Sequence, residues 1–217
     1  MIKPLKNHPL LALEFLFLCI VIPGIIIFNT LAPFMFVFLW GAALYGFLIM
    51  RRFHWLGYKT IWKWTSVTWA NMKPMLIRFV LCCVVMYVFQ AWYDPDRLFF
   101  VIENQPQIIP GLLIGYPIIS AFPQEFLFCS FFFVRYAPFF KDGWLMIFAS
   151  AVIFAYAHML YINPVAPVMG FMAGLIFAHT YHKTRSLALV TIEHGLYGNA
   201  LFLIGLGWYF YSGSVIQ

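Results

Sequence analysis

Long apolar runs separated by short polar breaks make up most of this chain. Residues 10–28 form a first run, with Glu14 about one turn inside it and Pro23-Gly24 predicting a kink. A turn at Asn29-Thr30 leads to a second run over 31–50, which stops at Arg51-Arg52. Further runs cover about 75–92, 108–134, 143–161, 165–181 and 186–210. Each is long enough to cross a bilayer as a helix, given about 20 residues per crossing. The fourth carries Pro110, Pro117 and Pro123, which predict irregular backbone in its early part. The pattern predicts an all-α, polytopic membrane helix bundle of seven transmembrane helices, or eight if a short segment hides in 98–122.

The segment between the second and third runs differs. Residues 51–74 mix Arg and Lys with Trp55, Trp62, Trp64 and Trp69. Trp and Lys together favour the headgroup level, so an amphipathic helix along the membrane surface is expected there. The last run finishes in Trp208, Tyr209 and Tyr211, an interfacial aromatic cluster.

Composition reinforces this picture. Of 217 residues, 64% are hydrophobic and 9% charged, where soluble domains carry about 25% charged residues. The chain cannot cover itself in water, so a soluble globular domain is excluded. One integral membrane domain over 1–217 is expected. The net charge of +6 does not point to nucleic acid, because the cations sit in short breaks between apolar runs. With the N-terminus inside, eleven of the thirteen Lys and Arg residues fall in inner segments. A multi-pass cell-membrane protein with a cytoplasmic N-terminus and an outside C-terminus follows from that bias. The N-terminal run lacks a small-residue cleavage site after it and reads as a retained span. The four cysteines lie in apolar runs without zinc-ribbon spacing and read as small buried hydrophobes.

Polar groups inside the runs are expensive in hydrocarbon and therefore informative. Glu125, His158, Glu193 and His194 lie well inside. At 1.5 Å per residue, Glu125 is roughly 15 Å from the inner surface, His194 about 14 Å and His158 nearer 22 Å. A carboxylate and two imidazoles on separate spans at compatible depths read as a site. They could activate water, donate to an oxyanion or hold a zinc ion. Structural interhelical hydrogen bonds are the bland alternative. Glu193 points to another face and is expected to pair with a neighbouring helix. His179 and His182 have i, i+3 spacing that could hold a metal, although interfacial histidines are commonplace. Gly170 and Gly174 form a G-x-x-x-G, which predicts close helix packing.

Three motifs then appear in order. Gln124-Glu125-Phe126-Leu127-Phe128-Cys129 occupies one span, Phe154-Ala155-Tyr156-Ala157-His158 the next, and His194-Gly195-Leu196-Tyr197-Gly198-Asn199 the last. Together they resemble the E-E-x-x-x-R, F-x-x-x-H and H-x-x-x-N (or Asp) motifs of the CAAX-protease and bacteriocin-processing family of intramembrane proteases, the third with one residue more between its His and Asn. The motif core covers about 108–212. The first motif departs at two positions, with Gln124 for its leading acid and Cys129 for its arginine.

The resemblance implies an intramembrane endopeptidase that hydrolyses a peptide bond of a membrane-associated peptide or protein. Glu125 and His158 would activate water, and His194 and Asn199 would stabilise the oxyanion. Gln124 and Phe154 would position substrate or water. No cofactor and no metal ligand are assigned, and metal dependence is left open. The alternative is a catalytically silent relative acting as a membrane binding or scaffold protein, which Gln124 and Cys129 favour. A haem or proton-relay site on His158 and His194 is a third reading. On a regular helix, Asn199 lies about 140° from His194 and would reach its face only through an irregularity such as a π-bulge.

Overall fold

A computed structural model describes residues 8–54 and 61–210. These fold into helices and turns, with no strand among the described residues. The long helices are α1 (Pro9–Phe28), α2 (Ala32–Arg52), α3 (Trp69–Tyr93), α4 (Pro106–Arg135), α5 (Trp144–Tyr161), α6 (Val165–Thr184) and α7 (Leu187–Ile204). Six of them are long and apolar enough to cross a membrane. The remaining one, α6, has the length at 20 residues but ends in the polar run His179–Thr184, which lowers its hydropathy. Between α3 and α4 there is only the five-residue helix Phe100–Asn104 with short 3-10 turns, too short to cross. The protein is a multi-pass membrane helix bundle.

The tryptophan-rich segment is only partly covered, because residues 55–60, with Trp55, lie outside the described residues, as does Tyr211. What is described is a 3-10 turn, Trp64–Ser66, and an early start of α3 at Trp69 rather than near 75. The segment is tied to the α6–α7 corner. Lys63 Nζ donates to Thr184 O at 2.8 Å, and Ala188 N donates to Trp62 O at 3.1 Å. Ser186 caps α7 by accepting from Leu189 N. Arg185 pairs with Asp142 at 2.6 Å. The loops holding Lys63, Asp142 and Arg185 therefore meet at one end of the bundle. At the other, Tyr209 OH donates to Asp94 at 2.6 Å, and Arg97 lies over Trp208.

The middle of α4 is irregular for a definable reason. Proline has no N–H, so it frees the carbonyl four residues earlier. Pro117 and Pro123 thus free Leu113 O and Ile119 O. The helix answers with a π-helical stretch at Pro117–Ala121 and a second at Phe126–Phe131. Other helices supply the missing donors: Asn199 Nδ2 bonds Leu113 O at 3.2 Å, and Trp40 Nε1 bonds Ile119 O at 3.0 Å. Ser150 Oγ bonds Phe128 O at 2.8 Å within the second stretch. In α1 the stretch Phe17–Val21 before Pro23 is likewise π-helical, in place of a simple kink.

The G-x-x-x-G of α6 does what its spacing predicts. A side chain on Gly174 would come within 2.9 Å of Ala151 Cα, and one on Gly170 within 3.2 Å of the His158 ring. The glycines let α6 lie directly on α5, and Gly170 gives the His158 imidazole its seat. At the C-terminal end of α4, Arg135 closes on Glu14, joining α4 to α1. All four cysteines are free.

Candidate active site

The Phe154 ring divides the polar groups into two compartments. Its centroid lies 4.5 Å from that of His158 on one side and 5.8 Å from that of His194 on the other.

The first compartment is an apolar cavity of about 170 Å³, walled by α1, α2, α4 and α5. Its polar lining includes Ser120, Gln124, His158 and Tyr161, among residues such as Leu18 and Phe38. His158 Nδ1 bonds Phe154 O, one turn back on its own helix, at 2.7 Å. A carbonyl only accepts, so Nδ1 carries the proton and Nε2 presents a lone pair. Gln124 Nε2 donates to Ser120 Oγ at 2.8 Å, which leaves its carbonyl oxygen as a second acceptor. Among the described residues, Tyr161 OH bonds the sulfur of Met35, at 3.4 Å.

The second compartment is sealed. Glu125 is 1% exposed and His194 4%. His194 Nδ1 bonds Glu125 Oε1 at 2.7 Å, and Cys129 Sγ donates to Glu125 Oε2 at 3.1 Å. Both carboxylate oxygens are thus engaged, as burial of a charge in hydrocarbon demands. Cys129, where the resembling motif has arginine, still acts as a donor one turn beyond Glu125. Phe177 stacks on the His194 ring at 4.5 Å. Tyr116 OH lies 2.9 Å from His194 Nε2. Beside this group, Arg78 Nη2 bonds Glu193 Oε1 at 2.5 Å and Thr180 Oγ1 at 2.9 Å. Glu193 therefore pairs with a neighbouring helix, as its position on α7 predicts.

Asn199 is not brought to the other site residues. α7 is α-helical from Leu187 to Ile204 without a π-bulge, so the expected irregularity is corrected. Its side chain instead serves the carbonyl freed by Pro117. Gly195 and Gly198 have a different use from easing a bulge. Pro117 lies 3.1 Å from where a Gly195 Cβ would stand, and the Tyr116 ring fills the place of a Gly198 Cβ. His182 Nδ1 lies 2.9 Å from Asp142 Oδ1, and His179 stacks on Trp144. Among the described residues, no three His, Cys, Asp or Glu side chains gather as a metal-ligand group.

Sequence reasoning did not single out Tyr116, Ser120 or Tyr161. Tyrosine and serine are common in spans, and only proximity to an imidazole or a cavity sets these apart. A weak signal for Tyr116 was available: it precedes a proline in a span facing two small residues after His194.

No curated protein matches the chain, and no solved structure does. Residues 106–200, which hold Glu125, His158 and His194, match the family model described as Rce1-like, type II CAAX prenyl endopeptidase Rce1-like.

Proposed function

We propose that this protein is an intramembrane endopeptidase whose hydrolytic water sits in the cavity between Gln124 and His158. The observation that carries the reading is the His158 imidazole, fixed through Nδ1 by its own helix and lining a cavity, with no partner on its other nitrogen among the described residues. A water there can donate one hydrogen to His158 Nε2 and the other to Gln124 Oε1. Its lone pair is then free to attack a carbonyl carbon. The proton passes to His158 Nε2, the C–N bond of the tetrahedral intermediate breaks, and His158 returns the proton to the leaving amine. The products are a carboxylic acid and an amine. Tyr161 OH, weakly held by Met35, is a donor at the cavity wall for the oxyanion.

In this reading Glu125 acts through His194 rather than on the water. Phe154 positions substrate by separating the two compartments. Asn199 supports α4 through Leu113 and does not reach the oxyanion. The substrate class is a membrane-associated peptide, and the inner, basic end of the bundle faces the cytoplasm, with the N-terminus inside and the C-terminus outside.

A second reading has its own observation. Gln124 is neutral, and Glu125 has both oxygens occupied, which favours a silent relative that binds a membrane peptide without cutting it. Purified protein in lipid nanodiscs, offered prenylated and leader-type peptides with mass-spectrometric detection, separates the two. Cleavage lost in His158→Gln supports hydrolysis. Cleavage that survives His158→Gln overturns the assignment of His158. Saturable peptide binding without cleavage supports the silent relative.

A further inference from the structure

The phenol of Tyr116 is absent from the three motifs, yet the fold is arranged to bring it to His194. It stands at the end of a regular helical turn, immediately before the π-helical stretch that begins at Pro117. Two glycines on α7 receive this corner. Pro117 lies against Gly195, and the Tyr116 ring occupies the space that any Gly198 side chain would need. Asn199, the next residue, holds Leu113 O, one turn before Pro117. Phe202 packs edge-on against the ring at 5.5 Å. The stretch Gly195–Phe202 thus fits α4 at Leu113–Pro117, and the outcome is a hydroxyl 2.9 Å from His194 Nε2.

We propose that Tyr116 is a positioning residue of the site, donating its hydroxyl to His194 Nε2 so that Glu125, His194 and Tyr116 form one hydrogen-bonded row. The chemistry of each partner sets the direction. Glu125 Oε1 accepts, so His194 Nδ1 carries the proton. The bare Nε2 then accepts, and among the described residues the group on it is the Tyr116 phenol. The row fixes both the tautomer and the ring plane of His194, and Phe177 stacked on its face completes the hold. The inference rests on the endopeptidase reading for its kinetic arm alone.

The test is long-range proton–nitrogen correlation on protein labelled with nitrogen-15 histidine in nanodiscs, with His194→Gln identifying the His194 signals. Wild type should show His194 protonated on Nδ1 with a hydrogen-bonded Nε2. Tyr116→Phe keeps the ring on Gly198 and Phe202 and should fold with only the small Tm loss of one buried hydrogen bond. It should move the Nε2 signal downfield toward that of a free imidazole nitrogen and leave Nδ1 nearly in place. Gly198→Ala, which displaces the ring with its hydroxyl intact, should give the same Nε2 shift and guards against misfolding of the first variant. If a substrate is cleaved, Tyr116→Phe should lower kcat about threefold to tenfold, the worth of one neutral hydrogen bond, with KM unchanged. His194 signals identical in wild type and both variants, or a wild-type proton on Nε2, overturn the proposal. A wild type that cleaves nothing removes the endopeptidase reading, while the spectra still decide the role of Tyr116.

Discussion

The two sides of Phe154 use the same side chain in opposite ways. On the cavity side, His158 is held by one backbone carbonyl of its own helix, with no partner on its second nitrogen among the described residues. On the sealed side, His194 is held by a carboxylate and a phenol from another helix, with an aromatic ring against its face. The surrounding helices differ in parallel. Over their most apolar stretches, 56% of α7, on the sealed side, is buried, against 17% in each of α1 and α2, which wall the cavity, and α4, which borders both sides, is half buried. The contrast teaches that, in the proposed hydrolysis, burial and reactivity are divided. The tightly bonded imidazole can hold the helices together, while the loosely held one can meet a substrate.

The strongest way to break this comparison is to change His158. His158→Gln should lower cleavage by about 10²–10⁴-fold, the usual worth of a general base, with Tm unchanged. A large Tm loss would mean that both imidazoles are structural. The sealed side should behave in the opposite way. Glu125→Ala leaves His194 without its acceptor and should destabilise the protein by about 3–5 kcal/mol, as for any broken buried pair, read from thermal unfolding in detergent. Stability equal to wild type would show that the Glu125–His194 bond does not hold α4 to α7.

Smaller changes sharpen the division. Gly174→Val drives a branched side chain into Ala151 on α5 and should cost about 1–3 kcal/mol through overpacking. It should also disturb cleavage, because α5 carries His158. Normal stability and cleavage together would remove the helix contact from the account of the site. The smallest effect is expected from Trp40→Phe, which removes the donor on Ile119 O. About 1 kcal/mol of stability should be lost, the net worth of one hydrogen bond, with His158-dependent cleavage retained.

Much of the fold was legible in the sequence because the signals are local. Length and apolarity mark six of the seven long helices as spans, and the stop at Arg51-Arg52 ends α2 as expected. Gly170 and Gly174 announce a close helix contact through their spacing alone. The buried acids were legible as well, since a carboxylate in hydrocarbon must find a partner. Glu193 finds Arg78, and Glu125 finds His194 and Cys129. Which partner each acid takes was not legible. The 3.6-residue period places residues on a face, but two prolines and two π-helical stretches rotate the faces of α4 by amounts that sequence does not state. That rotation turns Glu125 to His194 and Gln124 to the cavity.

The sequence by itself determined a multi-pass helical bundle, its spans and the presence of a carboxylate and two imidazoles within the membrane, because hydrophobicity and helix spacing act within one element. Only the tertiary structure decided that Glu125 belongs to His194, that His158 belongs to the cavity, that Asn199 serves Leu113, and that Tyr116 joins the site. Each of those outcomes depends on how two helices rotate against one another, and that is set by which side chains fit between them.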